Sequence, residues 1–259
     1  MVLEGLSRVR CVKLDVRDPI PTGLASESSE WIFNLTAVHR EPGHRATEYF
    51  ETTLKGAVNV CAFANQAQAR DLYLTSSISV YGPIQTLTPE EAPIAPISRH
   101  GGSKYPADRI QRAWLREDRA RRLMIVRPGV VYGPGDPGNM LRMIRAIRRG
   151  HFAFPGSPGL LKSYAYIYGL VDSIDLTMLR SESLIICNYV ESPTETLGKL
   201  VEQAKQLVHS RAPILSLLLP LLIPAAAVVS AVMDGKSPPI VARARVRPTH
   251  PRILFPDGS

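Results

Sequence analysis

The sequence predicts an α/β protein whose sheet is parallel and covered on both faces by helices. Two observations carry this. Short apolar runs bounded by polar or turn residues recur along the chain, and between them lie stretches whose apolar positions repeat at helical spacing. Hydrophobic residues at 45% and charged residues at 21% are those of an ordinary globular chain, and 259 residues suffice to bury a core.

Taken in order, Arg10 to Leu14 alternates like a strand and stops at Asp15-Val16-Arg17-Asp18-Pro19. Trp31 to Leu35 reads as a buried parallel strand. Between Glu48 and Gln68, Phe50, Leu54, Ala57, Val58, Cys61 and Ala64 recur at helical spacing. A strand over Leu72 to Thr75 follows, then a helix from about Gly102 to Arg119, then a strand over Leu123 to Val126 ending at Arg127-Pro128. Gly133 to Gly138 is a loop by composition, and Asn139 to Arg149 a basic amphipathic helix with Met140, Ile144 and Ile147 on one side. Gly156 to Gly159 is a turn. Tyr164 to Ile167 and Leu184 to Asn188 read as strands, and Thr196 to His209 as a helix. From Asp234 onward, prolines and the absence of a period predict an irregular tail.

The net charge of +8 favours anionic ligands, with dinucleotides, nucleotide sugars, nucleic acid and anionic lipid all compatible. Much of the excess lies in Arg116 to Arg122 and Arg142 to Arg149, which read as solvated helical faces. Cys11, Cys61 and Cys187 are too few and too scattered for a metal cluster or a disulfide framework, so a reducing cytoplasm fits best. His39 and His44 read as loop residues and not as metal ligands. Pro213 to Met233 carries no charge and is long enough on paper to span a bilayer. Pro220 and Pro224 would break a single straight span, so either a buried apolar helix pair or a membrane-surface contact is expected there.

Two stretches belong together: Thr75-Ser76-Ser77-Ile78-Ser79-Val80-Tyr81-Gly82 and His100-Gly101-Gly102-Ser103-Lys104. With Arg127-Pro128-Gly129-Val130-Val131-Tyr132-Gly133-Pro134-Gly135, they resemble the serine strand, the Tyr-x-x-x-Lys helix and the R-P-x-x-V-Y-G-P-G loop of the extended short-chain dehydrogenase/reductase family, the NAD(P)-dependent nucleotide-sugar epimerases, dehydratases and reductases. The resemblance runs collinearly over roughly residues 10 to 210. It implies a Rossmann-like doubly wound parallel sheet with a smaller C-terminal substrate lobe.

It also implies roles. Ser77, His100 and Lys104 are the catalytic set, His100 standing where the family has its tyrosine. Asp15 and Val16 would meet adenine, and Leu35, Thr36 and Ala37 the cofactor pyrophosphate. Thr75, Lys104, Arg127, Pro128 and Val130 would line the nicotinamide side. Ser77, Tyr132, Asn139 and Lys162 would face a nucleotide sugar, Lys162 as a point charge for the diphosphate. The expected cofactor is NAD or NADP, with no metal and no nucleic acid, and a homodimer is compatible. Ile78 and Ser79 lack the carboxylates of the sugar dehydratases, which favours epimerase or ketoreductase ancestry.

Two departures set further expectations. No glycine-rich turn supplies backbone N–H groups for a pyrophosphate. Residues 1 to 14 would already be the third strand, so the sheet is expected without its first strands and with an exposed edge; a late gene start or a truncated paralogue would each produce this. The second is His100. Imidazole can exchange a proton near neutral pH, but it is shorter than a phenol, and Lys104 one turn away disfavours the imidazolium. The sequence therefore supports either an oxidoreductase or a non-catalytic relative that binds a sugar nucleotide or a partner. Residues 1-133 are expected as a partial dinucleotide domain, 134-233 as the substrate lobe interleaved with the last strands, and 234-259 as tail.

Overall fold

The computed structural model describes residues 9–24, 30–38, 44–83, 88–136, 138–154, 157–191 and 195–216. Four parallel strands form the main sheet in the order β1, β2, β3, β7: β1 (Trp31–Asn34), β2 (Asp71–Thr75), β3 (Arg122–Pro128) and β7 (Leu184–Tyr189). The alternation of side chains across a strand explains why both faces must be covered. Leu72, Leu74, Leu123 and Ile125 point to one face, where they pack with Val60, Cys61, Ala64 and Trp114. Tyr73, Met124 and Val126 point to the other, against Leu170.

Helices α2 (Gly56–Gln66) and α3 (Arg99–Arg116) cover the first face and α5 (Ile167–Met178) the second. Sequence periodicity did not single out α5, although Leu170, Ile174 and Met178 repeat every fourth residue. A smaller apolar cluster joins α4 (Asn139–Arg148) to α6 (Leu197–Leu207) through Ile147, Phe154, Leu197, Val201 and Ala204. Beside it lie two short parallel pairs: β4 (Val130–Tyr132) with β6 (Tyr164–Tyr166), and β5 (Ala153–Phe154) with β8 (Leu215–Ser216).

Three readings change. Arg10 to Leu14 is not a strand: these residues are exposed and outside every ladder. An isolated alternating segment gains no strand hydrogen bonds without a neighbour, and among the described residues none lies beside it. Among the described residues β1, and not the segment over residues 10 to 14, is therefore the edge strand, paired with β2 alone, with Phe33 and Leu35 open to solvent.

The long first helix also differs. α1 (Ala46–Phe50) passes through a π-helical turn (Glu51–Lys55) into α2 without a break. The wider turn accommodates one extra residue. It moves the inward positions upstream by one, so Tyr49 and Thr53 are buried in place of Phe50 and Leu54.

Finally, Arg116 to Arg122 is not a single solvated face but a helix end, a turn and the first residue of β3. Arg121 lies over the Trp114 ring, and Arg122 grips Asp71 through two hydrogen bonds of 2.6 and 2.8 Å. Of the apolar run from Pro213 to Met233, only 213–216 falls in the described residues, and no described helix is long and apolar enough to cross a membrane. His39, Gly156 and the tail from Asp234 lie outside the described residues.

Candidate active site

A cleft of about 830 Å³ opens at the carboxyl ends of β1, β2 and β3. Parallel strands all present their C-terminal loops on that edge, so residues distant in sequence meet there. Ser77 and Ser79 reach it from the turn after β2, His100 and Lys104 from α3, Leu35 and Ala37 from the turn after β1, and Pro128, Val130 and Tyr132 from β3 and β4. Asn139, at the start of α4, completes the wall.

The serine is held by its own loop. Ser77 N-caps a 3₁₀ turn (Ile78–Tyr81), and its Oγ accepts from the Ser79 amide at 3.2 Å and from the Ser79 hydroxyl at 2.9 Å. With both contacts donated to it, the Ser77 hydroxyl keeps its proton to give to an oxygen in the cleft, and the chain of hydroxyls strengthens that donor. Gly101 makes the approach of α3 possible, since a Cβ there would overlap the Ser79 carbonyl oxygen. Ser98 caps α3 by accepting from the Gly101 amide at 3.0 Å.

Helical spacing puts His100 and Lys104 on one side of α3. His100 Nδ1 lies 3.1 Å from the Val38 carbonyl oxygen. A carbonyl only accepts, so Nδ1 carries the proton, and in the neutral ring the basic nitrogen is Nε2. Lys104 is 1% exposed and donates to the Thr36 and Thr75 carbonyl oxygens at 3.0 and 2.6 Å. Burial pushes its ammonium down to about 8, partly countered by the Asp108 carboxylate one turn further along α3. Two of its three donors are engaged, leaving one for a ligand hydroxyl.

Other predicted residues sit elsewhere. Arg127 is buried beneath the cleft and not within its wall: it donates to the Tyr81 hydroxyl at 2.6 Å and meets the Asp108 carboxylate at 3.2 Å. Desolvation raises the Asp108 carboxyl more than Arg127 lowers it. Tyr81 in turn donates to Asn188 Oδ1 at 2.9 Å, tying the serine turn to β7. Asp15 forks onto the Arg17 guanidinium, which holds its carboxyl down to about 2. Val16 packs against the first core cluster, and its carbonyl accepts from Asn59. Thr36 gives Lys104 its carbonyl while its hydroxyl turns to Asn34.

Lys162 borders an adjoining groove of about 350 Å³ that shares Val130 and Asn139 with the cleft. It is partly open to solvent, yet enough protein surrounds it to hold its ammonium below the ordinary lysine value. Asp108, Asn188 and the Val38 carbonyl escaped the sequence reading. For Asp108 the signal was available, four residues after Lys104 on one helix face; the others belong to contacts distant in sequence.

As for a dinucleotide, Lys104 with its remaining donor and the backbone around Thr75 and Pro128 fit a ribose and its base. For a pyrophosphate, no glycine-rich turn borders the Leu35–Ala37 corner among the described residues. No group of described side chains could hold a metal ion.

The chain is 28% identical over 209 residues to N-acetyl-alpha-D-glucosaminyl-diphospho-ditrans,octacis-undecaprenol 4-epimerase of Escherichia coli O157:H7, covering 80% of this chain and 63% of that protein. It is 32% identical over 111 residues to UDP-glucose 4-epimerase of Vibrio cholerae, covering 40% of this chain and 32% of the other. It thus spans less than two thirds of either relative. Among solved structures, UDP-glucuronic acid 4-epimerase from Bacillus cereus in complex with NAD superposes with a TM-score of 0.74 at 16% identity, covering 83% of this chain and 71% of that one. That likeness shows the fold, a doubly wound sheet of Rossmann type. Because the match to the NAD dependent epimerase/dehydratase family extends over residues 4–181, the chain belongs to that family.

Proposed function

We propose that this protein is an NAD-dependent oxidoreductase of the epimerase type, acting at a carbinol carbon of a sugar carried on a diphosphate. The observation that carries the reading is the convergence of Ser77, His100 and Lys104 in one cleft. Nucleotide sugars are the substrates named for the relatives from Vibrio cholerae and Bacillus cereus, and a lipid-linked sugar for that from Escherichia coli.

In the proposed mechanism Ser77 donates its hydroxyl proton to the sugar oxygen and polarises it. His100 takes the carbinol proton at Nε2, the tautomer being fixed by Val38, and returns it in the reverse direction. Lys104 places its free donor toward the cofactor ribose and is itself held by Thr36 and Thr75. Lys162 supplies positive charge to the diphosphate. The chemistry that a bound nicotinamide supplies is reversible acceptance of the carbinol hydride. Reduction from the opposite face of the ketone then inverts the centre, and a change of substrate makes the same step a ketoreduction.

A second reading is favoured by His100 itself, which stands where the family has its tyrosine: a protein that binds the sugar diphosphate without turnover. Incubation with NAD and UDP-N-acetylglucosamine, or its prenyl diphosphate counterpart, separates the two. The oxidoreductase reading expects reduced-nicotinamide absorbance and interconverted sugars by NMR, with Ser77→Ala slowing both by about 100-fold or more. Sugar binding without conversion, unchanged by Ser77→Ala, would establish the non-catalytic reading.

A further inference from the structure

The outer edge of the main sheet, on β7, is only partly covered. The Ser183 and Tyr189 carbonyls accept from the Leu123 and Gly129 amides at 2.8 and 2.9 Å, so the odd-numbered residues of β7 bond to β3 and the even-numbered ones turn away from it. Asn188 shows the consequence: its outward N–H donates to Glu90 Oε1 at 2.8 Å. Leu184 and Ile186 aim their backbone groups the same way and have no such cap among the described residues. Leu184-Ile185-Ile186-Cys187 carries no charge, and Leu184 is 37% exposed. An open, uncharged edge is a template for a further strand, and folded proteins cover or charge such edges.

A hollow of about 490 Å³ runs against Leu184 to Ile186, with Ala92, Ile94 and Tyr105 as its apolar wall. Glu90, Glu91 and Glu182 also border it. Of the cations nearby, buried Arg127 is paired with Asp108 at 3.2 Å and exposed Arg180 meets Glu182 only at 3.8 Å, which leaves Arg112. Glu91 has no cationic partner among the described residues. The edge therefore suits an extended segment with small apolar side chains and positive charge.

One stretch of this chain, outside the described residues, has that character. Most of the sequence after Asp234 has no period, but from Ile240 to Arg247 it alternates: Ile240, Ala242, Ala244 and Val246 form one row, and Val241, Arg243, Arg245 and Arg247 the other. Pro238-Pro239 and Pro248 bound it, as turn residues bound strands. A short strand bearing arginines is also one that can end a sheet without inviting another. Fully extended, residues 217 to 239 would reach about 75 Å from the end of β8, beyond the roughly 45–50 Å width of a domain of this size.

We infer that residues 240 to 247 add a strand to the main sheet at β7, bonding to Leu184 and Ile186, with the alanines over the hollow and the arginines toward Glu91 and Glu182. The inference stands apart from the chemistry of the cleft. It is tested on the full chain by amide hydrogen exchange, read residue by residue by NMR. In the wild type the Leu184 and Ile186 amides should exchange at least about tenfold more slowly than in Ala244→Pro, which removes a donor and a strand conformation at residue 244. Ile185 and Cys187, bonded to β3, should keep their rates in both. Arg243→Glu/Arg245→Glu should release the same two amides in low salt. Equal Leu184 and Ile186 rates in wild type and both variants overturn the inference. Protection that grows with protein concentration, together with a dimer by light scattering, also overturns it, since the strand would then come from a second copy. Release in Ala244→Pro alone would uphold the added strand and remove its charge pairing.

Discussion

Replacing Lys104 by methionine should remove a component of stability that rises with alkaline pH. The ammonium is 1% exposed and titrates at about 8 in the folded chain against 10.5 ordinarily. Between those values the unfolded state holds more protons than the folded one, so unfolding free energy rises with pH. Below about 8 both states are charged, and the full cost of the buried ammonium is present. From these two pKa values, the Lys104 contribution to stability should increase by about 2 kcal/mol between roughly pH 7 and pH 9.5, on top of the opposing contributions of the buried Cys61 and Cys187 thiols, which the variant shares. Stopping there keeps the tyrosines largely out of the measurement, because their unfolded phenols titrate near 10. Urea unfolding followed by circular dichroism at several pH values, for wild type and Lys104→Met, isolates the term as the difference between the two curves. Parallel curves would refute the reasoning: the two carbonyl partners at Thr36 and Thr75 would then hold the ammonium as well as water does.

Two further changes probe the frame of the cleft. Arg127→Met takes from the buried Asp108 carboxylate its hydrogen-bonded cation and should cost about 3–5 kcal/mol, much of it recovered in Arg127→Met/Asp108→Leu; chemical denaturation of these two variants and of Asp108→Leu measures the coupling. Gly101→Ala sets a methyl group against the Ser79 carbonyl and should lower stability by about 1–3 kcal/mol. Its control Gly102→Ala meets only the Phe50 ring edge at 3.6 Å and should be neutral or slightly stabilising in a thermal melt.

The parallel sheet was legible because its strands are short apolar runs between helical periods, and β2, β3 and β7 follow those runs to within two residues. The family resemblance, and not the periodicity, pointed to Ser77, His100 and Lys104 as one group, and all three line the cleft just past a strand or near the start of a helix. What order could not reveal was direction. Arg127 is adjacent to Pro128 in sequence, yet the alternation of β3 sends its guanidinium under the sheet edge toward Asp108 while Pro128 borders the cleft. Likewise the pairing of Tyr81 with Asn188 spans more than a hundred residues and has no local signature. Arg10 to Leu14 failed for a related reason: alternation describes a segment able to join a sheet, and joining also needs a neighbour.

The π-helical turn at Glu51–Lys55 makes the length of this segment a coded quantity. Loss of a single codon within it would remove the extra residue and restore ordinary helical spacing, with Tyr49 kept on the inward face. Thr53 lies 3.4 Å from the Ser103 hydroxyl on the helix that carries His100 and Lys104. Loss of codon 53 in particular would take away that hydroxyl contact under the helix while keeping the helix regular, and an alignment that closed the gap silently would miss it.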